Sequence, residues 1–378
     1  MAEPIRSIAL ISSSAQSLTN FRGPLIAALA GAGVKIWALA PDFDAGERAK
    51  MAALGAEPID ISLDRAGMRP LRDLADLRGL TSTLRRLRPD ATFAYFIKPV
   101  IYGSLAARRA GVPHRFALMA GMGYAFTPGE GGGGVKRALL RRVAAGLLRR
   151  GLGACEAVFF NNGDDLAQLA GAGLIDPAKG VVLGGTGVDL THFAAAPLVT
   201  QPLRFLMTAR LLREKGVAEY AEAARIVKAA HPEVEFHLAG DVDVNPGALT
   251  REEVAGWQAE GLLHWHGHVA DVRPLIAASS VYVLPSWREG KPRSTQEAMA
   301  MGRPVVTTDA VGCRDTVEEG VNGYKVPVRD PASLAAAMLR FVETPGLVAE
   351  MGAASRRMAE EMFDVDRINA RILAEMGL

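Results

Sequence analysis

A chain of 378 residues with 49% hydrophobic and 22% charged residues carries apolar material for full cores, which excludes a disordered, collagen-like or fibrous protein. Its length exceeds the range over which one core keeps growing, so two domains are expected. Only Cys155 and Cys313 are present, far apart and in no metal-ligand spacing; this argues against a disulfide framework or a zinc site and fits a reducing cytoplasm.

The net charge of +2 hides an asymmetry. Residues 1–200 hold 23 Lys+Arg against 16 Asp+Glu, giving +7, and residues 201–378 hold 20 against 25, giving −5. The first half is the one suited to an anionic partner such as a lipid surface or a diphosphate, although surface charge also serves solubility alone. No nucleic-acid partner is expected. The N-terminus MAEPIRSIALISSS lacks the basic flank and unbroken apolar run of a signal peptide and reads as a first strand. The apolar runs Gly23 to Val34 and Leu275 to Leu284 fall short of the roughly 20 residues that span a bilayer.

In chain order, short β-rich runs alternate with longer helical patterns, the mark of an α/β chain with parallel sheets and helical crossovers. Strands are predicted at Ser7–Ser13, Lys35–Ala40, Glu57–Ile61, Ala91–Phe96, Arg115–Met119 and Ala157–Asn161, a first Rossmann-like unit. A second begins at Arg204–Thr208 and continues through Glu235–Ala239, Leu263–Gly267, Val281–Pro285, Pro304–Thr308 and Gly323–Val326. Between them Thr191 to Pro202, THFAAAPLVTQP, lacks periodicity, and the hinge is expected there. The expected domains are 1–195 and 196–360. A C-terminal helix over 361–378 is expected to pack back on the first. Ligands of open α/β sheets bind beyond the carboxyl ends of the strands, so the site is expected in a cleft between two facing domains. The run Gly129–Gly134 reads as one loop, either a spacer or a flap.

The most informative segment is Val281 to Asp309, VYVLPSWREGKPRSTQEAMAMGRPVVTTD. A buried strand ends at Pro285, a polar loop with Glu289 and Gly290 follows, and a helix is expected from near Ser294 with Glu297 in its first turn. Free N–H groups at such a helix start suit a diphosphate. Glu297 has acceptor positions for vicinal ribose hydroxyls, or is simply a helix-start carboxylate stabilised by the macrodipole. Glu289, before the Gly290 turn, would point toward a sugar.

The string EGKPRSTQEAMAMGRPVV resembles the E-x7-E signature of retaining family-4 glycosyltransferases, with Glu289 and Glu297 as its two acids. TARLLREKG supplies a matching Arg210 and Lys215, and GGTGVDLTHF, Gly184 to Phe193, resembles the family's domain-junction segment. SLTNFRGPLIAAL and HRFALMAGMGYAF, His114 to Phe126, are similar to enzymes that extend polyprenyl-diphosphate-linked sugars. Ala120, where an acid is usual, and Thr295-Gln296, in place of an apolar pair, depart from the pattern.

The resemblance implies a GT-B fold, a UDP-sugar donor, a polyprenyl-diphosphate-linked saccharide as acceptor, and retention at the anomeric carbon. Glu289, Arg210 and Lys215 are its catalytic candidates. The two cations stabilise charge growing on the leaving diphosphate, and no metal or other cofactor is expected. Gly290, Lys291, Pro292, Arg293, Ser294 and Glu297 are donor-binding candidates, joined by Gly240 and by the backbone around His268 and Val269 at the base.

Asp241-Val242-Asp243 has the form of a metal-diphosphate motif but reads as a turn, since two short acids supply too few oxygens for a hard cation. His266 and His268 have no third ligand at metal spacing. Ser13 and Ser14, after the first strand, and the Gly121–Gly123 turn are acceptor-side candidates, each equally readable as plain loop structure. In Val135 to Gly151, Leu139, Leu140, Val143 and Leu147 are expected to share one face. Arg137, Arg141, Arg142 and Arg149 lie opposite or flanking. That helix either packs with a solvated basic face or lies on an anionic membrane, making the enzyme peripheral on the inner face of the cytoplasmic membrane.

The other readings are a UDP-N-acetylglucosamine 2-epimerase-like enzyme on the same fold and an NAD-binding module. No G-x-G-x-x-G opens the first helix to support the second.

Overall fold

The computed structural model describes residues 4–64, 69–121, 135–243, 245 and 247–378, with side chains from 142 onward in the helix that starts at Val135. The chain divides into two compact units, Met1–Thr186 with Asp366–Leu378, and Gly187–Val365. Each unit is Rossmann-like.

The strands of the first unit are β1 (Ser7–Ile11), β2 (Lys35–Ala40), β3 (Ala56–Asp60), β4 (Ala91–Tyr95), β5 (His114–Met119), β6 (Ala157–Phe160) and β7 (Gly180–Val182). They form one parallel sheet in the order β3-β2-β1-β4-β5-β6-β7. Its helices are α1 (Ala15–Gly31), α2 (Ala45–Ala53), α3 (Pro70–Leu87), α4 (Ser104–Ala110), α5 (Val135–Gly153) and α6 (Gly163–Gly171), with a π-helical turn at Pro99–Gly103 ahead of α4.

Strand residues alternate between two cores. Ala9 and Ile11 face the layer of Leu77, Leu80 and Leu84 from α3, Leu105 from α4 and Leu148 and Leu152 from α5. Ile8 and Leu10 face Leu18, Leu25 and Leu29 of α1. A sheet covered on both faces gives near-continuous apolar strands, as in the fully buried β4.

The second unit holds β8 (Arg204–Thr208), β9 (Glu235–Ala239), β10 (His264–Trp265), β11 (Val281–Leu284), β12 (Val305–Thr308) and β13 (Gly323–Val326). These run parallel in the order β10-β9-β8-β11-β12-β13. Its helices are α7 (Val217–Ala230), α8 (Arg251–Ala259), α9 (Arg273–Ala277), α10 (Arg293–Ala300), α11 (Pro331–Glu343) and α12 (Gly346–Met362). The last helix, α13 (Val365–Met376), sends Ile368, Ile372 and Met376 into the core that α1 also fills.

The strands stand where the apolar runs predict them, within a residue or two. The exception is β7, three residues long and too short to show a period. The division between units falls at Thr186/Gly187, ahead of the expected hinge. Thr191 to Pro202 is held to the second unit by Arg303, whose fully buried guanidinium donates to the carbonyls of Ala196 (3.1 Å), Pro197 (2.8 Å), Ile276 and Ala277 (both 2.9 Å). Burial lowers its pKa to about 10, and the carbonyls satisfy a cation that would otherwise be costly to bury.

Among the described residues no single helix is long and apolar enough to cross a membrane. The bent pair α11 and α12 passes on length and composition together, but Leu334, Met338, Phe341 and Val348 are buried in the second unit's core. On α5 Leu148 and Leu152 are buried in the core and Leu147, expected on the apolar face, packs against it, while Val143, expected on the same face, is 46% exposed. The expectations for Gly129–Gly134 and for the side chains of Arg137, Leu139, Leu140 and Arg141 lie outside the described residues.

Candidate active site

In the second sheet the strand order reverses between β8 and β11, since successive crossovers leave β8 in opposite directions. The loops at the carboxyl ends of those two strands flank the crevice that open α/β sheets use for ligands. Two sequence features bring the loops together. Gly216, at φ 75°, ends the turn after β8, and a Cβ there would lie 2.2 Å from the Pro285 carbonyl oxygen. Only glycine permits that approach. The Trp287 amide then bonds the Glu214 carbonyl at 2.9 Å.

The result is an ion pair between Lys215 and Glu289, with side chains 16% and 15% exposed. The Ser286 hydroxyl donates to the same Glu289 oxygen at 2.8 Å. From the other side the Glu289 amide bonds the Val311 carbonyl at 3.0 Å. Gly312, at φ 77°, lies so close that a Cβ would sit 2.3 Å from the Glu289 carbonyl oxygen. Beneath it the buried Cys313 thiol is pushed up to about 12, by burial first and by the Glu289 charge second.

Lys291 is almost fully buried, its ammonium 3.4 Å from Asp315 and 5.7 Å over the Phe363 ring. Burial lowers its pKa against the pull of Asp315.

Helix α10 starts at Arg293, with Pro292 as its N-cap and Ser294 second. Glu297 is therefore the fifth helical residue, one position further along than a start at Ser294 would make it, and just beyond the first turn. Its carboxylate, 14% exposed, meets the Arg293 guanidinium at 2.9 Å. Burial raises the Glu297 pKa and Arg293 opposes the shift. The macrodipole reading is set aside, since that effect fades beyond the first turn. Before it, Thr295 and Gln296 are fully buried, and the Gln296 carbonyl oxygen accepts the Gly187 amide at 3.1 Å.

Arg210 stands apart from this group. Its side chain, 55% exposed, bonds Asp243 at 2.8 Å, whereas Glu289 pairs with Lys215. Asp243 keeps a lowered pKa: burial pushes up, and the Asn245 amide and Arg210 outweigh it. Asp241 bonds Arg251 at 2.8 Å. Both acids of the D-x-D string thus hold arginines.

Gly240, expected at the donor, is held closely by its neighbours. At φ 145° its Cβ position would fall 1.8 Å from the Ala209 carbonyl oxygen, its amide bonds Gly267 at 2.8 Å, and its carbonyl accepts the Trp265 indole at 2.8 Å. His268 is exposed and Val269 half-buried, in the loop after β10. His266 stacks on His237 and shares a 2.9 Å hydrogen bond with it, which makes it a satisfied structural histidine.

In the first unit, Ser13 is buried and Ser14 half-buried. The Ser14 amide bonds Ser12 Oγ at 3.1 Å, and the Ala15 amide, first in α1, bonds Asp42 at 2.6 Å. The Ser14 and Ala15 amides thus have partners within the chain. Gly121, at φ 140°, lies two residues after β5; Gly123 lies outside the described residues.

Ser286, Gly312, Asp315 and the Arg210 partner Asp243 were not marked as site residues by the sequence. Their traces were the glycine after Val311, the serine after a strand-ending proline, and the D-x-D string that contains Asp243.

Two family models match the chain: "Glycosyl transferase 4-like domain" over residues 21–186 and "Glycosyl transferases group 1" over residues 202–344. The N,N'-diacetylbacillosaminyl-diphospho-undecaprenol alpha-1,3-N-acetylgalactosaminyltransferase of Campylobacter jejuni is 27% identical over 86% of this chain and 87% of its own. An Escherichia coli UDP-Gal:alpha-D-GlcNAc-diphosphoundecaprenol alpha-1,3-galactosyltransferase is 26% identical over 72% and 71%. Among solved structures, Anabaena HepE in complex with UDP and glucose superposes with a TM-score of 0.76 at 19% identity, over 99% of this chain and 100% of that one. A Rickettsia africae glycosyltransferase gives 0.78 at 17%, over 99% and 98%.

The fold, the two matched domains and these relatives define a glycosyltransferase of the GT-B class. Within it each of the two units matches its own glycosyltransferase family model, and the chain is related to the polyprenyl-diphosphate-sugar transferases.

Proposed function

We propose that the protein transfers a sugar, an N-acetylhexosamine or hexose, from a UDP-sugar to a polyprenyl-diphosphate-linked saccharide in bacterial surface-glycan or glycoprotein glycan assembly, with retention at the anomeric carbon. The observation that carries this reading is the Lys215–Glu289 pair at the β8/β11 switch point. In it Glu289 positions donor hydroxyls, and Lys215 meets the charge that grows on the departing diphosphate, stabilising the transition state more than the ground state. Arg210 turns from Asp243 to the same phosphates.

The first-turn amides of α10, with Ser294, receive the diphosphate. Glu297, held by Arg293, accepts the ribose hydroxyls. Lys291 and Asp315 fix the loop between the two glutamates. The acceptor hydroxyl attacks on the face the diphosphate leaves and gives its proton to the departing phosphate oxygen, so bond making, bond breaking and proton transfer balance without a protein nucleophile. The acceptor side includes Ser13, Ser14 and Gly121, and the basic helix α5 lies along an anionic membrane that holds the polyprenyl chain.

The relatives named above support this choice of donor and acceptor by what their names say of them. The test is a screen of UDP-sugars with a lipid-diphosphate acceptor extract. A product of unchanged anomeric configuration is expected, formed only when acceptor is present; an epimerised UDP-sugar formed without acceptor would put the epimerase reading in its place.

A further inference from the structure

The helices over one face of the first unit's sheet carry a pattern that sugar transfer does not use. In the first two turns of α3 the ordinary arrangement is reversed: Asp73 and Asp76 are buried, while Leu71 is 87% and Leu74 41% exposed. The inward acids are held in place. Asp73 accepts from the Lys98 ammonium at 2.9 Å and the Tyr102 hydroxyl at 3.1 Å, and Asp76 from the Ser62 hydroxyl at 2.7 Å. Withdrawing both acids leaves the outer side of α3 without an exposed carboxylate.

Arg72, Arg78, Arg85 and Arg86 are exposed on α3, and Arg108 and Arg109 on α4. Arg85 donates to the Arg109 carbonyl at 3.2 Å, joining the two helices. Asp64, 21% exposed in the loop before α3, answers Arg72 at 3.0 Å. The next helix over the same core, α5, contains no acid and adds exposed Arg142, Arg149 and Arg150. On the opposite face α2 and α13 mix both signs. One layer of the first unit is therefore cationic, with two leucines projecting from the end of it where α3 begins.

We infer that this α3–α4 face docks on an anionic lipid bilayer, with Leu71 and Leu74 entering the headgroup boundary and the arginines on the lipid phosphates. The occupant follows from the combination. Arginines alone fit any polyanion, but leucines presented to solvent gain only where an apolar phase accepts them. The inference rests on the reading of a lipid-linked acceptor for its purpose, and extends the docking surface from α5 to the α3–α4 face.

The test is co-sedimentation with vesicles of mixed phosphatidylglycerol and phosphatidylcholine, with phosphatidylcholine vesicles alone, and binding to a DNA duplex at the same ionic strength. The proteins are the wild type, Leu71→Glu/Leu74→Glu and Arg78→Glu/Arg86→Glu; all four positions are exposed, so unchanged melting is expected. Wild type should bind the anionic vesicles, and each double variant should bind them about tenfold or more weakly. Unchanged binding by both variants, or a duplex bound more tightly than the vesicles, overturns the proposal. Transfer to a soluble short-chain acceptor is unaffected in both variants. Vesicle binding without any transfer by the wild type would sink the functional reading and leave the docking surface standing.

Discussion

At the scale of single residues, the two acids of the E-x7-E segment have different environments. Glu289 is charge-compensated by Lys215 and hydrogen-bonded by Ser286, whereas Glu297 sits where burial raises its pKa. A carboxyl with a raised folded-state pKa binds more protons folded than unfolded, so it detracts from stability once pH exceeds that pKa. Glu297→Gln should therefore melt at a higher temperature than wild type at pH 7.5. The gap should close as pH falls toward the ordinary carboxylate value of 4.5. The same variant should gain less thermal stability from added UDP than wild type does, read in paired melts. A lower melting temperature than wild type at pH 7.5 would contradict the burial argument. Glu289 and Glu297 could be singled out in the sequence because their spacing is local, and Lys215 because it stands in the TARLLREKG string. Their partners were not: Ser286 and Asp243 are ordinary residues until a turn brings them to an ion pair, and Gly240 reads the same whether it admits a ligand or a neighbouring strand.

At the scale of elements, the site depends on two glycine turns that allow loops to meet. Gly216 has a positive φ and no room for a Cβ against Pro285, and Gly312 has none against Glu289. Gly312→Ala should cost about 1–3 kcal/mol of stability through strain and displacement, and should lower kcat more than it raises KM for the donor, because Glu289 moves from its place beside Lys215. Chemical denaturation and steady-state kinetics check the two halves separately; an unshifted midpoint with full activity would refute the packing argument. Strand positions were readable because buried parallel strands make nearly unbroken apolar runs. Helix starts were less so: α10 begins at Arg293, one residue before Ser294, and Val143 lies outward on α5 because which stripe of a helix packs is decided by its neighbours. The inverted start of α3 is invisible to periodicity for the same reason, since its inward acids are satisfied by Lys98, Tyr102 and Ser62 from elsewhere in the chain.

At the scale of the whole molecule, each unit has a core of its own, but the first is completed from the far end of the sequence. Ile368, Ile372 and Met376 of α13 are buried beside α1, and removing three such side chains costs about 5 kcal/mol or more in apolar burial. Truncation after Val365 should leave the second unit folded and destabilise the first, seen as a low-temperature transition split from the main one by calorimetry; a single unshifted transition would contradict this. The two-unit organisation was legible from length and from the restart of the strand pattern, while the boundary was not. Arg303 draws Thr191 to Pro202 onto the second unit through backbone carbonyls, a contact no local pattern announces. The central claim is that the Lys215–Glu289 pair at the β8/β11 switch point works on a nucleotide-sugar bond. The measurement that tests it most directly is single-turnover release of UDP from a UDP-sugar with acceptor present, comparing wild type with Lys215→Ala. The account predicts a rate lower by about 10²–10³ with donor binding largely kept, and an unchanged rate in the variant would contradict it.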